Sequence, residues 1–206
     1  MFASRSIQSS LSLREKFYSI DFVLVISILV LGIVSMFAMY STAGGVYDYH
    51  TKSHIMRFGI FFVLFFIISF IEIKFWYQTS TLLYIVFFLL LLGVKYFGLT
   101  SSGSQRWINL YIINLQPSEL MKIGLIAFLA KYYHKIPTTD VNKIRFLFLP
   151  IVALVAPVLL VIAQPDLGTA VLIAAGGIVV SWLGGVRIKF FAYASILLLS
   201  LAPIAI

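Results

Sequence analysis

Glu119 and Lys122 stand three residues apart in "QPSELMK" (116–122), at the head of an apolar run that reaches Tyr133. The chain around them is 62% hydrophobic and 11% charged, so an acid and a base this close need a reason. Helical i,i+3 spacing puts both side chains on one face, where they can pair. Pro117 suits a first helical position, because its missing N–H would have no partner there anyway. Glu119 then falls near the third position, where a carboxylate can reach free N–H groups and the positive helix end. Capping does not account for Lys122, since a cation favours the opposite end of the dipole. A lysine at the centre of a membrane helix costs about 2.5–3.5 kcal/mol, and snorkelling relieves part of it. The pair is therefore expected to line a polar cavity.

Two other places carry chemistry. Gln164-Pro165-Asp166 echoes Gln116-Pro117-Ser118-Glu119, again with a proline and an acid where an apolar run begins or resumes. Asp166 is expected to cap a helix running through Gly168 and Thr169. In the loop "TSSGSQRWINLYIINLQPSE", Arg106 adjoins Trp107. A guanidinium fork beside an indole platform suits a headgroup phosphate or a sugar; the alternative is a pair of interfacial anchors. His50 and His54 have i,i+4 spacing, but a polar loop accounts for them better than a metal site. With no cysteine in the chain, disulfides and Cys-based metal sites are excluded.

The elements that must hold these residues are membrane helices. Mean hydropathy is +1.07, and several apolar runs are long enough to cross a bilayer at about 1.5 Å per residue. The fold class is all-α: a polytopic transmembrane helix bundle in one domain, residues 1–206. Its spans are expected at about 21–42, 55–73, 79–98, 117–134, 146–164, 166–184 and 189–206. The run after the first 20 residues is too long for a signal-peptide core, so it is taken as an uncleaved first helix. Placing the N-terminus in the cytoplasm puts ten Lys and Arg on the inner side against four on the outer, with Lys122 inside a span. Trp76, Tyr77, Tyr132, Tyr133 and Trp182 then fall at the inner interface, and Tyr40, Trp107 and Tyr111 at the outer. Net charge is +8, from basic residues lying between apolar runs, which fits membrane lipid headgroups. No basic and aromatic interleaving marks a nucleic-acid groove, so no nucleic-acid partner is expected.

"GSQRWINL", "QPSELMKIGLIAFLAKY" and "AQPDLGTAVLIAAGGIVVSWLGGV", in this order, resemble the SEDS family of RodA, FtsW and SpoVE. "DFVLVISILVLGIVSMFAMYST" is similar to that family's first span, and the likeness extends over about 20–206. Gln105 before Arg106 and the short N-terminal tail look most like the elongation-type branch, RodA. The resemblance implies a multi-pass protein of the bacterial inner (plasma) membrane. It implies a peptidoglycan glycosyltransferase of cell elongation and cell-shape maintenance that polymerises lipid II, the undecaprenyl-pyrophosphate-linked disaccharide peptide. The implied partner is a class B penicillin-binding protein, a transpeptidase. Glu119 and Lys122 match polar positions of the family's fourth helix that line its central cavity. Arg106 and Trp107 match the loop before it, and Asp166 the acid that opens the sixth helix.

The resemblance implies ten membrane helices, with the family's catalytic aspartate after the seventh. That places the aspartate beyond Ile206, so no catalytic residue is assigned within this chain. The expectation is an N-terminal portion that is inactive alone. Glu119, Lys122, Arg106, Trp107 and Asp166 are the cavity or substrate-binding candidates. Gln116, Pro117, Ser118, Gln164, Pro165, Gly168 and Thr169 are the structural motif. A divalent cation would suit a pyrophosphate, but no metal ligand set or other cofactor is specified here. Two other readings stand beside this one: a flippase or transporter of a lipid-linked precursor, and a non-catalytic membrane scaffold. A flippase needs a charged path from both sides, whereas a transferase needs access from one.

Overall fold

The computed structural model describes residues 13–97, 99–101, 104–109 and 114–193. The elements run α1 (Leu13–Tyr18), α2 (Phe22–Thr42), α3 (Tyr49–Ser69), α4 (Ile73–Phe97), β1 (Leu99–Ser101), β2 (Ser104–Asn109), β3 (Asn114–Leu115), α5 (Pro117–Lys135), α6 (Ile144–Ile162) and α7 (Leu167–Leu183). Residues 188–193 are helical again. The rest of the expected seventh span, with Gly103 and Tyr111, lies outside the described residues. Among the described residues, four helices, α2, α3, α4 and α6, are each long and apolar enough to cross a membrane. The chain is an all-α polytopic membrane protein with a small sheet between α4 and α5.

Two compact units divide the chain, residues 1–75 and 76–206. In the first, Asp21 caps α2 by accepting from the backbone N–H groups of Val23 and Leu24 at 2.9 and 3.2 Å. Gly44 and Gly45 take φ values of 69° and 78°, which let the chain turn back where a side chain would be strained. Asp48 then starts α3, accepting from Thr51 N at 2.7 Å. That backbone N–H is the main reason the Asp48 carboxyl sits below its usual value. So α3 begins at Tyr49 rather than near 55. The turn of His50, Thr51, Lys52, Ser53 and His54 is too polar to register as a span, yet its cap makes it helical. A side chain at Gly32 would strike the Phe58 ring, so α2 and α3 touch closely there. One turn on, Ser35 Oγ and His54 Nε2 are 2.9 Å apart. The hydroxyl also lies within donating distance of Gly32 O, at 2.8 Å. The short helix α1 is tied to the end of α3 by Lys16, whose Nζ donates to Phe70 O at 3.0 Å and lies 3.7 Å from Glu72 Oε1.

In the second unit α5 is central and packs on both α6 and α7. Its buried residues, Met121, Gly124, Leu125, Leu129 and Tyr133, recur every three or four positions and so form one face. Met121, Leu125, Leu129 and Tyr133 join Leu91, Leu147, Ala153, Val161, Ala170 and Ile173 in a common core. A Cβ at Gly124 would come 2.8 Å from the Phe87 ring, so α4 crosses close to α5 at this point. Ile123 and Ile126 stay exposed on the other side, as a lipid-facing surface allows.

α6 carries Pro150 and Pro157 inside it. Each proline lacks the N–H that would bond the carbonyl four residues back. Those carbonyls belong to Phe146 and Ala153. Tyr132 Oη donates to Phe146 O and Tyr84 Oη to Ala153 O, both at 2.9 Å. Two tyrosines on α5 and α4 thus replace the two hydrogen bonds that the prolines remove, which matters most where no water can.

Candidate functional site

The site is built where the N-termini of α5 and α7 meet. Gln116 is the cap residue of α5, and its side chain makes no capping bond. It reaches across instead, and Nε2 donates to Asp166 Oδ2 at 3.2 Å. Asp166 caps α7 by accepting from Thr169 N at 3.2 Å and from Thr169 Oγ1 at 2.9 Å. The two echoing motifs of the sequence therefore join through a Gln and an Asp, one from each.

Arg106 locks the same junction from β2. Its Nε donates to Gln164 O at 3.1 Å and its Nη2 to Pro165 O, while Nη1 lies 3.8 Å from Asp166 Oδ2. Gln164 extends the network, Nε2 donating to Leu91 O on α4 at 3.4 Å. Trp107 follows a bulge in which Arg106 is the extra residue of β2, opposite the Leu99–Thr100 step. It sits in register with Leu99 and is 37% exposed. Arg106 turns to the α6–α7 turn, where Gln164, Pro165 and Asp166 engage its guanidinium.

One turn into α5, Lys122 Nζ lies 2.8 Å from Glu119 Oε2. The carboxylate that could have capped the helix is turned to the lysine instead. The Glu119 side chain is 52% exposed and that of Lys122 is 24% exposed, so the pair opens from the helix interior towards the solvent-accessible end. Pro117 and Ser118 are buried beneath it. Gly168 has room for a side chain, its nearest neighbour being Asp166 Oδ1 at 3.9 Å from a built Cβ. It serves no close approach.

Chemically, this end of the unit offers two helix N-termini with their positive dipole ends, a lysine and an arginine. Asp166 and Glu119 are the acids present, and both are engaged. Among the described residues no group of three or more His, Cys, Asp or Glu could hold a metal ion. The donors do not compose a site for the divalent cation that a pyrophosphate would suit. The arrangement favours an oxyanion-rich group, and it places no free carboxylate as a base. Sequence reasoning missed Gln164 as the bridge to α4 and Tyr84 and Tyr132 as the partners of the proline-freed carbonyls. Pro150 and Pro157 were the available signal that such donors must exist.

The family described as "Cell cycle protein", FtsW, RodA and SpoVE, matches residues 15–206. Among curated relatives, the probable peptidoglycan glycosyltransferase FtsW of Buchnera aphidicola from Schizaphis graminum is 35% identical over 144 residues, which are 69% of this chain and 40% of that protein. Peptidoglycan glycosyltransferase MrdB of Escherichia coli K12 is 37% identical over 124 residues, 59% of this chain and 32% of that protein. The chain thus spans well under half the length of either relative. A chain in a peptidoglycan synthase complex that coordinates polymerization and crosslinking has the same fold, with a TM-score of 0.76 at 25% identity. The match covers 90% of this chain and 55% of that one.

Proposed function

The chain belongs to the FtsW–RodA–SpoVE family of cell cycle proteins, and from that premise we propose that it is the N-terminal portion of a lipid II polymerase of the bacterial inner membrane. The observation that carries this reading is the meeting of two helix N-termini at Gln116 and Asp166, with Lys122 paired one turn inside. Polymerisation joins an acceptor 4-hydroxyl to the anomeric carbon of the growing glycan. The carbon–oxygen bond to undecaprenyl pyrophosphate breaks, and the hydroxyl proton goes to a base. The leaving pyrophosphate needs positive potential where its charge develops. Lys122 supplies the mobile cation, released from Glu119 towards a phosphate oxygen. The helix N-termini supply fixed partial charge. Arg106 is a positioning residue, holding the α6–α7 turn against β2 so that Asp166 and Gln116 stay aligned. Trp107, exposed on β2, offers a platform for a sugar or an acyl–headgroup boundary.

The base is not among these residues. Asp166 is occupied as the cap of α7 and the partner of Gln116, and Glu119 is occupied as the partner of Lys122. The general base is worth roughly 10²–10⁴ in rate, and the resemblance puts it after the seventh helix. The elongation-type role rests on the RodA-like Gln105 before Arg106, and the likeness to a synthase complex supports a class B penicillin-binding protein as partner. The test is glycan synthesis from labelled lipid II by residues 1–206 with a cognate penicillin-binding protein. A second polypeptide carrying the family's downstream helices is then added or withheld. Ladders are expected only when it is added, and Lys122→Ala should lower their yield by about 10²-fold. Ladders from residues 1–206 without it would place the base among the residues described above. A Lys122→Ala yield equal to wild type would remove the lysine from the mechanism.

A further inference from the structure

The opposite end of the second unit carries a different constellation. The α5–α6 loop and the turn after α7 are clamped together by one side chain. Asn142 Nδ2 donates to Gly185 O at 3.2 Å, and Asn142 Oδ1 accepts from Arg187 N at 2.9 Å. Val141 and Val186, beside the clamp on either loop, are buried in the common core. The clamp therefore rests on packed residues. It holds Lys143, with Arg145 in the first turn of α6, at the same end of the unit as Arg187, with Lys189 in the helix that follows. All four are exposed, and Asp140 is the acid set among them. Asp140 Oδ1 lies 2.7 Å from Lys143 Nζ and Oδ2 lies 3.8 Å from Arg145 Nη2. The Lys143 bond is the chief reason the Asp140 carboxyl is held below its usual value.

Directly beside these charges the surface turns apolar. Ile144, Trp182, Leu183 and Ile188 are 81%, 56%, 72% and 70% exposed. Cations above an apolar, Trp-bearing rim fit a lipid, with phosphate at the charges and acyl chains along the helices. An acidic protein segment would meet the charges but leave the apolar rim uncovered. We propose that this clamped loop pair is a binding site for an anionic phospholipid, and that the two cation pairs, Lys143 with Arg145 and Arg187 with Lys189, select a headgroup with two phosphates. Asp140 organises two of the cations and at the same time competes with the lipid for them.

The test is native mass spectrometry of the full chain, titrated in detergent with cardiolipin, phosphatidylglycerol and phosphatidylcholine. Cardiolipin adducts are expected to form most tightly and phosphatidylcholine adducts least. Each cation near an anionic headgroup contributes roughly fivefold. Neutralising all four (Lys143→Gln, Arg145→Gln, Arg187→Gln and Lys189→Gln) should therefore weaken cardiolipin binding by roughly 600-fold. Asp140→Asn should strengthen it by about fivefold, a gain that misfolding cannot imitate. Asn142→Ala keeps every charge but frees the loops, and it should lose the preference for cardiolipin over phosphatidylglycerol. The control, Lys52→Gln with Arg57→Gln on α3, removes two cations elsewhere and should leave binding unchanged. Equal loss in the control, or wild-type binding by the fourfold or the Asn142→Ala variant, would overturn the proposal. Tighter binding of a hexaglutamate peptide than of cardiolipin would overturn the lipid assignment.

Discussion

Asp166 carries two jobs that a single substitution can separate. As a cap it accepts two hydrogen bonds from Thr169, and as a charge it faces Arg106 at 3.8 Å. Asparagine caps a helix about as well as aspartate, whereas alanine does not. Asp166→Asn is therefore expected to keep the thermal midpoint near wild type while releasing the guanidinium. Asp166→Ala should cost about 0.5–2 kcal/mol of stability. Thermal unfolding of the detergent-purified chain measures both, and equal losses in the two variants would mean that the ion pair outweighs the cap. The exposed Glu119–Lys122 pair is a weaker contributor to stability, since pairs open to water contribute about 0–1 kcal/mol. Its i,i+3 spacing was readable from the sequence, because helix geometry alone brings such residues together. The partners of Arg106 were not readable, because Gln164, Pro165 and Asp166 lie about 60 positions away.

Among the elements, α6 holds the physical lesson. A helix with two internal prolines in an apolar setting would leave two carbonyls without donors, each costing about 1–3 kcal/mol. Tyr132→Phe and Tyr84→Phe each take away one replacement donor. Tyr132→Phe is expected to destabilise the chain by about 1–3 kcal/mol. The loss should shrink when Pro150→Ala is added, because residue 150 then regains the N–H that Phe146 O lacks. Tyr84→Phe with Pro157→Ala should behave the same way at Ala153. Chemical denaturation of the singles and doubles checks this, and a Tyr132→Phe loss that is undiminished beside Pro150→Ala would show that the hydroxyl acts on something other than the proline gap. The helix starts teach a related point. α3 and α4 begin at Tyr49 and Ile73, each about six residues before the expected 55 and 79. Hydropathy marks where a chain is greasy, but backbone hydrogen bonding carries the helix on through a polar first turn. The same blindness hid the sheet of β1, β2 and β3, whose short strands lie in what reads as an irregular loop.

For the whole molecule, the ten-to-four excess of basic residues predicts a cytoplasmic N-terminus. The α2–α3 loop then faces outward and the α5–α6 loop inward. The chain contains no cysteine, so single cysteines report cleanly. Val46→Cys is expected to react with an impermeant thiol reagent on intact spheroplasts, and Thr139→Cys only after lysis. The reverse pattern would invert the topology. Composition and the length of the apolar runs by themselves determined that this chain is a bundle of membrane helices, because only helices and closed barrels satisfy their backbone in lipid and these runs are continuous rather than alternating as barrel strands are. The motifs at 103–110, 116–132 and 163–186 determined the family, and local spacing determined the Glu119–Lys122 pair. Only the tertiary structure decided that Gln116 meets Asp166, that Arg106 closes the α6–α7 turn, and that Asn142 clamps two distant loops. Those contacts join residues more than 40 positions apart, and their geometry comes from how α5 packs on α7, which no local period encodes.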